Sequence, residues 1–238
     1  MSRQTRKYTY DFRGHHLIPA AAANLGTPFS KADTSSAGSP TMLGLNGGGV
    51  RLLLAADEEV ENLCLYMGNI LPFDIDDIIA FEAIVKTVAT LDAATSIAFG
   101  LCSARADDPD ALTAHASFRC LGSNAVVVET DDGTTDKDDI ATGLTLGATW
   151  KRFRMDFASR NSTFEPPSVS LGRKSNIEFY GANDNGSLRR VASGTRFDMS
   201  AYTAGLQLYA QIQKTSDTNT DNLDILEWSV EVSLPAYA

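Results

Sequence analysis

The sequence predicts an all-β fold, a two-sheet antiparallel sandwich of the jelly-roll kind, preceded by an extended N-terminal arm. Three observations lead there. From residue 50 onward, apolar residues recur at every second position within short stretches, the period of a strand with one buried face. Clusters of Gly, Asp, Asn, Ser and Pro interrupt these stretches at intervals of about 8 to 12 residues or longer, as in sandwiches and barrels. No stretch in that region keeps a helical period beyond about two turns. The expected division is an arm and tether over 1–49 and a sandwich of about eight to ten strands over 50–238.

The arm begins with RKYTYDFR, in which Tyr8, Tyr10 and Phe12 alternate with Lys7, Thr9, Asp11 and Arg13. A strand of this pattern can extend a partner's sheet, with backbone hydrogen bonds giving strength and alternate side chains giving specificity. Residues 20–49 are rich in Ala, Gly, Ser, Thr and Pro, with KADTSSAGSPT inside them, too little apolar surface for a core of their own. They read as a tether. At its end LGLNGGGVRLLL runs three glycines into an apolar stretch. A phosphate cradle needs a strand before its glycines and a helix after them. Here the apolar run follows, so Gly47, Gly48 and Gly49 read as a hinge.

Beyond the hinge the elements follow in order. Ile79, Phe81, Ala83 and Val85 alternate with Glu82 and Lys86, and after LDAAT come Ile97, Phe99 and Leu101; the two read as neighbouring core strands. SARADDPDALTAH is a charged loop, NAVVVET a strand covered on both faces, and TDDGTTDKDDIATG an acidic excursion with room for one helical turn. Phe153, Met155 and Phe157 oppose Arg152, Arg154 and Asp156, as expected of a sheet with one wet face. Leu206, Leu208, Ala210 and Ile212 oppose Gln207, Tyr209, Gln211 and Gln213 in the same way. In NLDILEWSVEV the inward set slips phase after Ile225, which a β-bulge would explain.

Bulk composition removes several function classes. No apolar run approaches the roughly 18 to 20 residues of a membrane-spanning helix. The net charge is −10; residues 1–45 hold five basic and two acidic residues, a balance of +3 that leaves −13 for the rest. So acidic a body repels nucleic acid. Cys64, Cys102 and Cys120 form no C-x-x-C pair and read as buried free thiols of a reducing cytosol. The first residues lack the apolar core of an export signal.

Candidate chemistry is sparse, and the expectation is a protein that is not an enzyme and needs no cofactor or metal. The histidines are His15, His16 and His115, without a G-x-S-x-G elbow. Glu82, Glu129, Glu178 and Glu227 stand alone on strands, where a glycosidase needs two facing acids. DTNTDN places Asp217, Asn219 and Asp221 at alternate positions but has Trp228 where a calcium loop needs a bidentate Glu. It reads as a polar hairpin. For sugars, Tyr180 followed by GANDNG offers an aromatic face with Asn183 and Asp184 as hydrogen-bonding groups.

The segments AFEAIVKTV, SIAFGL, VVVETDDG, WKRFRMDF, IEFYGANDNGSLRRVA, FDMS and LQLYAQIQK together resemble structural proteins of tailed bacteriophages, in particular head decoration or cement proteins with a concanavalin-like or jelly-roll body. That resemblance implies a virion protein assembled in the host cytoplasm. It would clamp major capsid protein subunits on the outer capsid surface, commonly as a homotrimer, without nucleic acid or membrane. The arm residues expected to make that contact are Arg3, Arg6, Lys7, Tyr8, Tyr10, Phe12 and Arg13. The alternatives are a lectin-like carbohydrate-binding module and a tail or baseplate structural protein.

Overall fold

The alternating segments resolve into two eight-stranded antiparallel sheets in the computed structural model, which describes residues 5–14, 28–35, 40–157, 173–182 and 186–234. In chain order the strands are β1 (Thr5–Asp11), β2 (Ser30–Asp33), β3 (Thr41–Gly44), β4 (Val50–Leu53), β5 (Glu59–Tyr66), β6 (Phe73–Asp74), β7 (Ile78–Thr87) and β8 (Thr95–Cys102). They continue with β9 (His115–Leu121), β10 (Ala125–Asp131), β11 (Asp136–Thr145), β12 (Lys151–Asp156), β13 (Glu178–Ala182), β14 (Leu188–Val191), β15 (Gly205–Asp217) and β16 (Asn222–Ser233). The first sheet runs β14-β13-β12-β7-β16-β4-β3, with β1 also against β16. The second runs β11-β10-β9-β8-β15-β5-β2, with β6 against the start of β15. The all-β sandwich read from the sequence is the fold observed.

Inward residues of the two sheets meet in one aromatic-rich core. Phe118 packs on Phe99, Phe153 and Phe179 at ring separations of 5.4, 5.0 and 5.3 Å, and Phe197 closes on Phe179 at 4.8 Å. Such offset and edge-on pairs add to the burial of apolar area itself. The phase slip in β16 is present as a register shift against β7 between Ile225 and Glu227. It lets Leu223 and Ile225 before it, and Trp228 and Val230 after it, all be fully buried.

Two local readings change. β7 and β8 are not neighbours: β7 pairs with β12 and β16 in one sheet, β8 with β9 and β15 in the other, because the turn between them crosses the sandwich. The acidic excursion, residues 130–143, holds no helical turn; from Asp136 onward it belongs to β11, paired with β10 through two register shifts.

The N-terminal extension is laid onto the body. β1 pairs with β16 from Thr5 opposite Ser233 to Asp11 opposite Glu227, and β4 takes over the same edge from Ile225 to Asn222. Residues 30–33 and 41–44, read as tether, are β2 and β3 at the outer edges of the two sheets. Gly47, Gly48 and Gly49 are no swivel. They form the β3–β4 turn at φ of 93, 96 and 112°, Leu45 N–H donates to the Gly49 carbonyl at 3.0 Å, and Gly49 N–H donates to the Phe12 carbonyl at 3.2 Å.

This turn gives a first test. A Cβ on Gly48 would sit 2.7 Å from Arg13 Cγ and 2.8 Å from Arg13 Cα, whereas one on Gly47 would meet nothing within 4 Å. Gly48→Ala is therefore expected to lose about 1–3 kcal/mol, and more than Gly47→Ala, which carries only the backbone cost. Urea denaturation of both variants checks this; a swivel would tolerate both changes.

Candidate functional site

The residues expected to grip a partner are occupied within the chain. Phe12 is fully buried, 5.4 Å from Phe29 and 5.7 Å from Trp228; Tyr10 packs on Phe29 at 5.1 Å and Tyr8 on Phe73 at 5.8 Å. Arg6 lies over the Tyr8 ring at 4.8 Å, Lys7 reaches Glu82 at 3.1 Å, and Arg13 reaches Asp11 at 2.9 Å and Glu227 at 3.8 Å. The period-two strand was legible, but the sheet it extends is its own. Arg3 lies outside the described residues.

The outer face of the first sheet is a tied charge ladder. Glu82 receives Arg152 at 2.8 Å and Arg154 at 2.7 Å as well as Lys7. Burial would raise its carboxyl, but these cations bring it down to about 2. Tyr180 belongs to the same face. Its hydroxyl donates to Glu178 at 2.7 Å, and Arg190 holds Glu178 at 2.9 Å. Burial first, then the Glu178 carboxylate, pushes the Tyr180 phenol up to about 12. Asn183 and Asp184, its expected companions, lie outside the described residues.

A different arrangement marks the outer face of the second sheet. The outward residues of β15 were expected to be wet, yet Gln207, Tyr209 and Gln211 are buried: residues 103–114 fold back over Tyr209 and Gln211, while Gln207 accepts from the backbone N–H groups of Met67 and Asn69 at 3.1 and 3.0 Å. Asn62 and Gln211 both donate to the Asp107 carbonyl, the latter at 2.7 Å, and Gln211 also donates to Gln213 at 2.9 Å. The covering segment is pinned at Arg105, whose N–H donates to Asn69 at 3.0 Å, while Gln207 donates to the same Asn69 oxygen at 3.0 Å. All three cysteines are free and buried; burial pushes the Cys120 thiol up to about 12, so it is no nucleophile at neutral pH.

Beneath one end of this cover sits a charged knot. Glu129 on β10 faces His115 and Arg119 on β9, with His115 Nε2 at 2.5 Å and Arg119 in direct contact; Arg119 also grips Asp110 of the covering segment. All three strand residues are nearly inaccessible. Burial would raise the Glu129 carboxyl; the bonds from His115 and Arg119 outweigh it and hold it below the usual range. Asp110, Glu129 and Asp138 oxygens lie within 4.8 Å of one another, and the Arg119 guanidinium supplies positive charge among them. A carboxylate kept ionised this way is a lock and a poor general acid.

Where the cover ends, a groove of about 400 Å³ opens between Asp107 and Asp108 on one side and β5 and β15 on the other. Asn62, Ser96, Gln213 and Thr215 line it, and Val60, 64% exposed, adds a methyl-bearing patch. Its floor is fixed by Lys214, fully buried, which donates to the carbonyls of Ala55 at 2.5 Å and Asp57 at 2.7 Å. Amides, hydroxyls and carboxylates with a small apolar patch suit a polyol better than an apolar ligand. Sequence reasoning passed over these residues; the signal available was the glutamine-rich outward row of β15.

No protein-family model matches the sequence, and no curated protein matches it. The fold is nevertheless similar to many solved structures. One is a protein of unknown function from Shewanella oneidensis MR-1, with TM-score 0.59 and 10% identity over 100% of this chain and 90% of that one. A second is the carbohydrate recognition domain of Emp47p, with TM-score 0.54 and 11% identity over 94% and 97%. A third is a β-glucanase from Bacillus licheniformis, with TM-score 0.54 and 12% identity over 94% and 97%. At such identities the likeness is one of fold. It corrects the expected kinship with phage head decoration proteins: the structures that share the sandwich include a carbohydrate recognition domain and a β-glucanase, and the strand that was to grip a capsid, β1, pairs with β16 of its own chain.

Proposed function

We propose that this protein is a non-enzymatic, lectin-like carbohydrate-binding module that takes a neutral saccharide in the groove beside residues 107 and 108. The observation that carries this reading is the pre-fixed polar row of the groove: Asn62 donates to Gln213 at 3.3 Å, Gln211 to Gln213 at 2.9 Å, and both Asn62 and Gln211 to the Asp107 carbonyl. Side chains held before the ligand arrives lose little freedom when it binds. The similar folds of a carbohydrate recognition domain and a β-glucanase support it.

The test is a glycan array followed by calorimetry on the best neutral oligosaccharide. Gln213→Ala and Asp107→Ala are each expected to weaken binding about tenfold, the loss of one or two hydrogen bonds. If no neutral glycan binds, or if the oligosaccharide is cleaved, the reading fails.

A further inference from the structure

The face opposite the groove holds a second pocket of different chemistry, about 570 Å³ in volume, within the range of small-ligand clefts. It lies where the β3–β4 turn meets the end of β7 and the start of β12. Two large apolar side chains stand open there, Trp150 at 37% and Leu43 at 45% exposure. The indole is held in place: a Cβ on Gly49 would be 3.4 Å from its ring, and Lys86 Nζ lies 4.6 Å from the ring centroid. Arg51 and Lys86 share one carboxylate, Asp224, whose side chain is fully buried. Arg51 grips it through two bonds of 2.7 and 2.8 Å, and Lys86 stands off at 3.7 Å. Two cations against one anion leave a positive charge, and Lys86 is the less committed of the two.

We infer that this pocket binds a pyranose bearing a carboxylate, a hexuronate, with the apolar face of the ring on Trp150 and Leu43 and the carboxylate on Lys86. The aromatic and aliphatic surface accounts for a sugar's C–H face. The surplus cation selects an anionic ring over a neutral one, which matters in a chain of net charge −10, where a free anion is otherwise repelled. This site shares no residue with the groove, so neither depends on the other.

The probe is tri-galacturonate, with its methyl ester as an uncharged match of the same shape, titrated into the full chain. Trp228 is fully buried, so a saturable change in indole emission reports Trp150. Tri-galacturonate is expected to give that change; Trp150→Ala should abolish binding measured by calorimetry, and Lys86→Gln and esterification should each weaken it about tenfold. Lys86→Gln keeps the test sound should Trp150→Ala misfold. Gln213→Ala should leave the titration unchanged even if it destroys neutral-glycan binding. The inference is overturned by an absence of saturable binding below about 10 mM, by equal affinity for the ester, or by loss of uronate binding in Gln213→Ala.

Discussion

Phe12→Ala is expected to lower the stability of the whole sandwich by about 3–5 kcal/mol, the cost of emptying a fully buried aromatic site. Phe12 lies between Phe29 and Trp228, which touch each other at 5.6 Å, and its carbonyl accepts a bond from Gly49. The void would therefore open where β1, β16 and the glycine turn converge. Equilibrium urea denaturation followed by near-ultraviolet circular dichroism measures the loss. A detachable arm predicts the reverse, a variant as stable as the parent. A denaturation midpoint within error of the wild type would therefore restore the tether reading of residues 1–49.

Glu129→Ala should cost about 3 kcal/mol, at the low end for breaking a buried ion pair because Asp110 still faces Arg119. Glu129→Gln keeps the shape and an acceptor and should cost less. The same knot sets an acid limb. The Glu129 carboxyl, ordinarily near 4.5, is lowered in the folded state by His115 and Arg119. Its contribution is complete above pH 4.5 and is lost as pH falls through the lower folded value. Glu82, lowered from 4.5 to about 2, acts in the same direction over that window. Stability measured from pH 6 downward should thus fall less steeply in Glu129→Ala than in the wild type; parallel curves would show that the knot contributes nothing to acid sensitivity.

Period-two alternation made the sheet class, the core faces of β7, β8, β12, β15 and β16, and even the bulge after Ile225 readable in the residues themselves. Alternation reports which face of a strand is apolar; it says nothing about which strand lies alongside. Hence Tyr8, Tyr10 and Phe12 were correctly seen as one apolar edge and assigned to the wrong sheet, and β7 and β8 were placed together when the sandwich separates them. The groove was harder to see, because Asn62, Asp107 and Gln213 come from three distant segments and each alone is an ordinary polar residue in the sequence. The covering of Tyr209 and Gln211 by residues 103–114 was equally hidden, since only a tertiary contact turns a nominally wet face dry.

The pairing of Thr5 with Ser233 has a kinetic consequence. β1 has β16 for its partner, at the far end of the described sequence, so on the ribosome an aromatic ribbon must wait, unpaired, until β16 has emerged. Closing so long a loop is entropically slow, and the waiting edge is a target for other nascent chains. The charges of Arg6, Lys7 and Arg13 interleaved with that ribbon act as gatekeepers during the delay, keeping it soluble until β16 arrives.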